Sequence, residues 1–557
     1  MATRAVPGLL AALLLVTTGA APSGALTHSP HRPAAATRSP SASYAASAKL
    51  RKPRLPLHRI SARPLRRTTA RLPTPRAPTS LTAISVGLSH AGLGATDNGM
   101  FQNSPPDTTG SIGPNHYVEM VNSVIGVYNR TDLSLVTLVP FTSWLKVAAA
   151  TLLCDPQIQW DSSSQRWLYV VLGCSFGADR FYYGWSKTAD PTDLVNGWCR
   201  FIRSTPGALA DYPKLGHSSK YMLVGANNFS DSGIHPFITA QITWFRTPVP
   251  GDATCVAPTV NSIGSAAAPL KNRDGATYTS TPVPVNSSTN ADNGYVVSAY
   301  DPSGPPGGPQ SKLAVWHLDG SGVLHPDSDI TVNTYAVPAP APDLNGPFGI
   351  DTLDGRLTQA VGDPATGIYT QHTVDGTGSL SKVTWYEIQV VSSVATLTQQ
   401  GDISSSTDFV FNAAISPRAD GQGAVIFYNR SSAVTEPVIA TQGRMAWTPA
   451  GQMDAGEIVL ATSSAGDSDF SCNFTGQNEP CRWGDYSGAS PDPIKPNVVW
   501  GSNQALVAPS GTVPNWVTRN FAIVGPLMRS AQQSTPRPTP TRDPASQSTP
   551  IPSPGVR

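Results

Sequence analysis

Acidic side chains are missing from the first 96 positions of this sequence, which hold 13 lysines and arginines. The remaining residues carry 25 basic and 36 acidic side chains, so a basic arm precedes a body with a formal charge of −11. Charged residues are scarce overall, at 13%, against about 25% in typical soluble proteins. Beyond the N-terminus no apolar run approaches the roughly 20 residues of a membrane-spanning helix, so we expect no transmembrane segment.

The motifs of several common enzyme classes are also missing. There is no Gly-rich phosphate-binding loop, no dinucleotide fingerprint and no Gly-x-Ser-x-Gly nucleophile elbow. The ten histidines include no His-Glu-x-x-His pair, and the six cysteines include no Cys-x-x-Cys pair that would favour zinc. These absences argue against a nucleotide-dependent enzyme, an α/β-hydrolase and a zinc protease.

Both ends of the chain predict segments outside the folded body. Residues 1–25 have the pattern of a secretory signal, because Arg4 precedes an apolar run over Leu9–Val16 and small residues follow. That run is shorter than the 18 or so apolar residues of a membrane anchor. Residues 26–82, basic and rich in Pro and Ser, and residues 531–557, rich in Pro, Ser and Thr, predict disordered arms. We therefore expect a secreted, soluble, monomeric protein.

The basic arm has two interpretations. Ten of its cations lie between Lys49 and Arg76, interleaved with Pro and Ser, and such a run cannot bury a core. Dense positive charge could bind nucleic acid or an anionic cell envelope. For an exported protein we favour a linker or an envelope-contacting arm, and we expect no nucleic-acid partner.

Frequent turns and repeated strand pairs dominate the body. The 53 prolines and 48 glycines predict many turns and few helices. Seven segments share a polar or acidic start, a short strand, a turn and a second strand that ends near an aromatic residue. These segments are Asp107–Asn122, Asp155–Leu172, Asp211–Gly225, Tyr278–Tyr300, Asp354–His372, Phe411–Tyr428 and Arg482–Trp500. Their starts lie roughly 50 to 75 residues apart, enough for a four-stranded sheet with its loops.

The repeats predict an all-β fold, a single β-propeller of seven four-stranded blades over residues 83–530. Further strand-like runs follow the paired strands, as at Val124–Tyr128 and Leu313–Leu318. We expect Ala83–Val86 to add the outermost strand of the last blade and so to close the ring. A pair of β-sandwiches is the alternative, but it predicts shorter, more even strand spacing and a break in composition that this chain lacks.

An even number of cysteines in an exported chain favours disulfide bonds, although six cysteines allow fifteen pairings. Cys154 and Cys174 flank the hairpin of the second repeat, where adjacent strands could bring them together. Cys472 and Cys481 would close a short loop. The spacing then leaves Cys199 to pair with Cys255.

Three motifs in the repeats carry a resemblance to a known group of proteins. They are Pro-Asp-Thr-Thr-Gly at Pro106–Gly110, Asp-Tyr-Pro-Lys at Asp211–Lys214 and Arg-Trp-Gly-Asp-Tyr-Ser at Arg482–Ser487. The chain resembles, over about Asp97 to Val524, secreted bacterial β-propeller proteins that mostly lack an assigned function. The resemblance implies export and a propeller distantly like that of sialidases, and it implies no catalytic residues.

Four repeat segments contain an aspartate that a propeller would bring to one end of its central channel. These residues are Asp107, Asp155, Asp211 and Asp485. Hard cations bind several oxygen ligands at once, so the set predicts a calcium site. The alternative, favoured for any single one of them, is that each aspartate caps a tight turn through its own backbone.

The last repeat packs a cation, two aromatic rings and a carboxylate into Arg482–Tyr486. In an enzyme, Asp485, Tyr486 and Arg482 would be the catalytic residues, because glycosidases use carboxylates and sialidases use a tyrosine nucleophile. The Ser-x-Asp-x-Gly-x-Thr-Trp boxes of sialidase-type propellers are missing. Trp483 and Tyr486 could instead belong to the core between blades.

The sequence thus leaves two functions open. The first is a non-catalytic propeller that binds an extracellular or cell-envelope ligand, above all a glycan. The alternative is a sialidase-like glycoside hydrolase with its site at the mouth of the channel. A binding protein predicts saturable affinity without product, whereas an enzyme predicts turnover that depends on single carboxylates.

Overall fold

The computed structural model describes residues 53–60, 83–98, 101–305, 307–507 and 513–527. The predicted signal sequence, most of the predicted N-terminal arm and the C-terminal tail lie outside these residues. Within the described ranges, no helix is long and apolar enough to cross a membrane. The helical elements there are α1 (Phe141–Trp144) and one 3₁₀ turn (Thr377–Ser379).

Three N-terminal strands precede the first blade: β1 (Leu57–Ile60), β2 (Ser85–Gly94) and β3 (Phe101–Ser104). Blade 1 contains β4 (Thr109–Ile112), β5 (His116–Val121), β6 (Val124–Asn129) and β7 (Leu135–Pro140). Blade 2 contains β8 (Leu153–Asp161), β9 (Arg166–Gly173), β10 (Arg180–Ser186) and β11 (Trp198–Ser204). Blade 3 contains β12 (Ala208–His217), β13 (Tyr221–Ser230), β14 (Phe237–Arg246) and β15 (Asn261–Ile263).

The next three blades follow in chain order. Blade 4 contains β16 (Val283–Pro284), β17 (Gly294–Ala299), β18 (Gln310–Leu318), β19 (Leu324–Pro326) and the added strand β20 (Ile330–Tyr335), which pairs with β18. Blade 5 contains β21 (Gln359–Asp363), β22 (Gly367–Asp375), β23 (Ser381–Val391) and β24 (Val394–Ile403). Blade 6 contains β25 (Phe409–Pro417), β26 (Gly423–Ser432), β27 (Thr435–Met445) and β28 (Ile458–Thr462).

Blade 7 joins the two ends of the chain. Its inner strands are β29 (Gly488–Pro491), β30 (Val498–Leu506) and β31 (Trp516–Val524), and β2 pairs antiparallel with β31 as the outermost strand. This confirms that a strand from the region of Ala83–Val86 closes the ring. The seven-bladed propeller predicted from the repeats is confirmed, and the pair of β-sandwiches is excluded by the strand order.

The predicted repeats coincide with the two innermost strands of each blade. The first strands of successive blades contact one another in the order β4, β8, β12, β16, β21, β25, β29 and back to β4. Parallel bridges join His217 to Asn286 and Asn286 to Val361, so neighbouring inner strands run in the same direction. The starts of the inner strands therefore gather at one end of the central channel.

The core lies in the layers between blades, where large side chains meet. Trp144 packs against Tyr169 and edge-on against Trp198, and all three are buried between blades 1 and 2. Close approach of backbones also requires small residues at these contacts. A Cβ atom on Gly225 would lie 1.9 Å from the carbonyl oxygen of Pro282 in the next blade, so only glycine fits there.

All six cysteines form disulfide bonds. Cys154 is bonded to Cys174, Cys199 to Cys255, and Cys472 to Cys481. The pairing favoured by the spacing is confirmed. The first bond joins the start of β8 to the residue that follows β9, because antiparallel pairing places those two positions side by side.

Candidate functional site

Left-handed backbone conformations mark the end of the channel where the inner strands begin. Five such residues stand at or near these starts: Asp107 (φ 47°), Asp155 (φ 49°), Tyr212 (φ 56°), Thr281 (φ 48°) and Asn412 (φ 46°). Each non-glycine residue in this conformation costs about 1 kcal/mol or more. In three blades a β-bulge interrupts the strand pairing at the same point. Repetition of this distortion gives every affected blade the same opening turn.

The distorted turns are bound by side chains from the preceding blade. The N–H of Asp155 donates to Asn122 Oδ1 (2.9 Å), and the N–H of Thr281 donates to Asn227 Oδ1 (2.8 Å). Both asparagines are buried at the second strand of the preceding blade. Buried N–H groups need such partners, so these bonds fix how adjacent blades meet.

Two of the four aspartates predicted to bind calcium also form hydrogen bonds between blades. Asp107 accepts hydrogen bonds from the N–H of Asp485 (2.7 Å) and from Asn122 Nδ2 (2.7 Å). Asp155 Oδ2 accepts a hydrogen bond from the N–H of Tyr212 (3.2 Å). These carboxylates bind the backbone of neighbouring blades rather than of their own turns.

Arg54, which lies outside the blades, binds aspartates at this end of the channel. Arg54, three residues before β1, donates from Nε to Asp485 Oδ2 (3.2 Å) and from Nη2 to Asp351 Oδ2. Its backbone N–H donates to Asp211 Oδ2 (3.0 Å). We call Arg54, Asp211, Asp351, Arg482 and Asp485 the channel-mouth site. Arg54 lies inside the stretch 26–82 for which composition predicts a disordered arm, and the described part of that arm is docked here.

Arg482 lies at the edge of the site and binds both the propeller and the arm. Its Nη2 donates to Asp485 Oδ1 (3.1 Å) and to the carbonyl oxygen of Arg54 (3.3 Å). Its Nη1 donates to the carbonyl oxygen of Leu55 (2.8 Å). The side chain of Arg482 is 17% exposed and that of Asp485 is 2% exposed. The guanidinium group therefore lies between solvent and a buried carboxylate.

The electrostatics of the site keep Asp485 ionised. Burial opposes its negative charge, but Arg54, Arg482 and Arg356 outweigh burial and hold the pKa of Asp485 below its ordinary value. Asp485 therefore acts as a fixed acceptor for guanidinium groups at neutral pH.

The other aspartates have the opposite tendency. Burial and the charge of Asp485 raise the pKa of Asp107 to about 7. Burial raises the pKa of Asp211 to about 6, although the N–H of Arg54 partly offsets this effect. Burial, together with Asp211 and Asp107, raises the pKa of Asp155 well above its ordinary value. Carboxylates in different states of protonation thus lie side by side, as acid and base groups do in active sites.

A buried lysine lies beneath the site. Lys214 Nζ is 3.2 Å from the ring centre of Tyr486 and 3.9 Å from that of Tyr212. Burial lowers the pKa of Lys214 well below its ordinary value, against the opposing effect of Asp155. Its Nζ makes no hydrogen bond among the described residues. The guanidinium of Arg356 lies 4.7 Å from the ring centre of Tyr212.

The three predicted catalytic residues are neighbours in the structure. Asp485 and Arg482 form an ion pair at the channel mouth, and the neighbouring Tyr486 is buried. The phenol of Tyr486 donates to the carbonyl oxygen of Pro156 (3.1 Å), and its ring packs edge-on against Tyr212. Tyr486 therefore contributes to the core between blades, and the catalytic roles stay predictions.

The sequence analysis did not predict two residues of the channel-mouth site, Arg54 and Asp351, or the buried Lys214 beneath it. The sequence does distinguish Lys214, because this residue ends the Asp-Tyr-Pro-Lys motif. Asp351 lies in the long connection between blades 4 and 5, where no repeat marks it. Arg54 is one of ten cations between Lys49 and Arg76, and nothing in its local sequence distinguishes it from the others.

The calcium site stays a prediction. Among the described residues, the group of three potential ligand atoms that lie within 4.8 Å of one another consists of Asp467, Cys472 and Cys481. Both sulfurs belong to the disulfide bond of that loop, so they offer no thiolate to a metal.

Comparisons with known proteins found only weak structural likenesses. No protein-family model and no curated protein matches the chain. Among solved structures, the Dos1 propeller aligns at TM-score 0.35 and 10% identity, over 78% of this chain and 83% of that one. An exo-β-1,3-galactanase from Phanerochaete chrysosporium aligns at 0.30 and 8% identity, over 69% and 95%. A subtype N11 neuraminidase-like protein of the H18N11 strain A/flat-faced bat/Peru aligns at 0.27 and 8% identity, over 49% and 68%. At these scores the likenesses carry no argument about the fold or the site.

Proposed function

We propose that this protein is exported and binds a glycan at the channel-mouth site without cleaving it. The predicted signal at residues 1–25 and the three disulfide bonds support export. The observation that carries binding is that Arg482 and Asp485 already bind polar groups of the N-terminal segment at the channel mouth. A site that is built to hold such groups needs only a ligand with matching donors and acceptors.

Glycan hydroxyls match this set of groups. Each hydroxyl both donates and accepts, so vicinal hydroxyls can accept from a guanidinium group and donate to a carboxylate. Arg482 supplies the donors, and Asp351 and Asp485 supply the acceptors. The side chains of Arg482 and Asp351 are 17% and 19% exposed, so both can be reached from solvent.

The state of Tyr486 disfavours cleavage through a tyrosine nucleophile. Its hydroxyl already donates to the carbonyl oxygen of Pro156. Burial and the charges of Asp155 and Asp107 raise the pKa of Tyr486 well above its ordinary value. An activated nucleophile needs a lowered pKa or an adjacent base, and this environment works in the opposite direction.

A glycoside hydrolase is the second candidate, and the protonation states favour it. Asp485 is held ionised, whereas the pKa of Asp107 is raised to about 7. A carboxylate beside a carboxylic acid is the pair that glycosidases use. The N–H of Asp485 donates to Asp107, so the two residues are direct neighbours.

A panel of immobilised polysaccharides and sialylated glycans tests the proposal. We expect at least one glycan to bind the intact protein saturably and to bind Arg54→Ala more tightly, because Arg54 now holds two of the carboxylates. Asp485→Asn should weaken binding at least about tenfold. The control is Asp402→Asn, which changes a carboxylate that binds Lys382 at the outer edge of blade 5.

Two results would contradict binding without cleavage. The proposal would be wrong if neither the intact protein nor Arg54→Ala retained any glycan. Products detected by mass with the intact protein, and lost with Asp485→Asn but not with Asp402→Asn, would establish the hydrolase instead.

A further inference from the structure

The segment from Pro53 to Ile60 contacts the propeller in the way that a peptide ligand contacts a receptor. The guanidinium of Arg54 binds two carboxylates, of Asp485 and Asp351, which come from different parts of the ring. Its side chain is 17% exposed. Arginine is suited to such a site because its planar group presents several donors in fixed directions.

The backbone of the segment is bound as well as the side chain. Asp211 accepts the N–H of Arg54 (3.0 Å), and Arg482 donates to the carbonyl oxygens of Arg54 and Leu55 (3.3 and 2.8 Å). Three main-chain groups of two adjacent residues thus have charged partners on the propeller. A site that contacted only the arginine side chain would bind any exposed cation. A site that also contacts the main chain requires an extended peptide.

Residues 55–60 of the segment make further contacts with the rest of the protein. Pro56 is buried, and Leu55 packs against the apolar cluster between blades 2 and 3. After Pro56 the chain enters β1, which pairs antiparallel with β3 from Leu57 opposite Ser104 to Ile60 opposite Phe101. The two strands form a sheet separate from the seven blades, so β1 gains its main-chain bonds from the N-terminal strand β3 and not from the edge of a blade.

The charges of the site require a cation at this position. Asp485 is buried and Asp351 is partly buried. Among the described residues of the propeller, Arg482 forms ion pairs with both, whereas Arg356 acts on Asp485 from a greater distance and is itself paired with Asp354. Removing one partner of a buried ion pair leaves an uncompensated charge, which is costly. The propeller side of the site is therefore complementary to a guanidinium group.

We propose that the channel-mouth site is a receptor for an extended, arginine-bearing peptide, and that residues 53–60 are a copy of this ligand carried in the same chain. The inference goes beyond glycan binding, because it concerns the ligand class that the site already holds. The peptide and a glycan would compete for Arg482 and Asp485.

The test uses the full chain with a cleavage sequence for a site-specific protease inserted between Ala70 and Arg71. After cleavage and removal of the released fragment, a fluorescent peptide of sequence 53–60 is titrated and its anisotropy is measured. We expect saturable binding by the cleaved protein and none by the uncleaved protein, since the tethered copy competes at high effective concentration.

Matched peptides decide whether the site reads Arg54. The Arg54→Ala peptide should bind at least about tenfold more weakly, and a peptide of the same residues in scrambled order should also bind at least about tenfold more weakly. Asp351→Asn in the protein should weaken binding of the original peptide. Equal affinity for the three peptides, or no saturable binding after removal of the fragment, would overturn the proposal.

A second measurement applies if cleavage abolishes the native near-UV circular dichroism spectrum. Hydrogen exchange of the β3 amides is then compared in the uncleaved Arg54→Ala protein and in a control, Lys382→Ala, which removes a cation from the outer edge of blade 5. Faster exchange in Arg54→Ala alone supports the proposal, and equal exchange overturns it. Peptide binding without glycan binding would contradict only the proposed function. Glycan binding without peptide binding would contradict only this inference.

Discussion

Asn122 shows how much one side chain contributes at the channel end of the propeller. Its Nδ2 donates to Asp107 Oδ2 and to the carbonyl oxygen of Pro105, both at 2.7 Å. Its Oδ1 accepts the N–H of Asp155 at 2.9 Å. Because Asn122 is buried, water cannot replace these bonds when the side chain is removed.

Replacing Asn122 should destabilise the whole propeller. Asn122→Ala loses three buried hydrogen bonds, each worth about 1 kcal/mol, and leaves their partners unsatisfied, so we expect a loss of about 2–4 kcal/mol in the free energy of unfolding. Asn129→Ala in the same blade removes an exposed bond to Ser134 and should cost no more than about 0.5 kcal/mol. Urea denaturation measures both, and similar losses would contradict a special role for Asn122.

The protonation of Asp107 should make stability depend on pH. Burial and Asp485 raise its pKa from 3.8 to about 7 in the folded protein. Between these values the folded state binds more protons than the unfolded state, so the contribution of Asp107 to stability falls as pH rises from about 4 to about 7. We expect the free energy of unfolding of the original protein, relative to Asp107→Asn, to decrease over this range. Urea denaturation at several pH values tests this, and parallel curves would contradict it.

At the scale of single elements, the loop between Cys472 and Cys481 positions Arg482. The disulfide closes nine positions of chain directly before Arg482. The N–H of Arg482 also donates to Ser471 Oγ (3.0 Å), and Cys481 forms a parallel bridge with Ile350, next to Asp351. The loop therefore brings together two charged residues of the channel-mouth site that lie in different connections.

Removing this disulfide should loosen both the loop and the site. The loop-closure entropy of a ring of about ten residues corresponds to about 2–3 kcal/mol, so the double variant Cys472→Ala/Cys481→Ala should lose about that much stability. Thermal denaturation measures the loss, and hydrogen exchange should show faster exchange at Arg482. A loss below about 0.5 kcal/mol with unchanged exchange would show that the surrounding contacts hold the loop without the bond.

At the scale of the whole molecule, the ring is closed by pairing between the two ends of the chain. Strand β2 pairs with β31 from Ser85 opposite Val524 to Gly94 opposite Val517. Ile84, directly before β2, and Leu93, within β2, are both buried. Without β2, the edge of β31 is unpaired and blade 7 loses its outermost strand.

A chain that begins at Asp97 should therefore be much less stable than one that begins at Ala83. Loss of Ile84 and Leu93 alone removes about 4 kcal/mol or more of apolar burial. Both chains lack Arg54, so the comparison isolates ring closure from docking of the arm. Thermal unfolding followed by circular dichroism tests this, and equal midpoints would show that three strands suffice for blade 7.

Much of the architecture could be predicted because it depends on local order along the chain. Polar starts, turns and strand pairs recur within each repeat, so the second repeat, Asp155–Leu172, corresponds to β8 and β9. Cys154 and Cys174 could be paired from the same hairpin. The cluster around Asp485 was partly predictable, since Arg482 and Tyr486 adjoin it in sequence.

The sequence by itself determined the blade number, since turn and strand preferences act over a few residues and recur in each repeat. The closing strand was assigned because the last blade needs an outermost strand, and the third disulfide pair was assigned because the two short-range pairs leave Cys199 with Cys255. Only the tertiary structure decided that Arg54 occupies the channel mouth. Arg54 and Asp485 are 431 positions apart, and composition describes the arm only as a solvated basic run. Their contact depends on the convergence of different blades at one end of the channel, and no local pattern encodes that convergence.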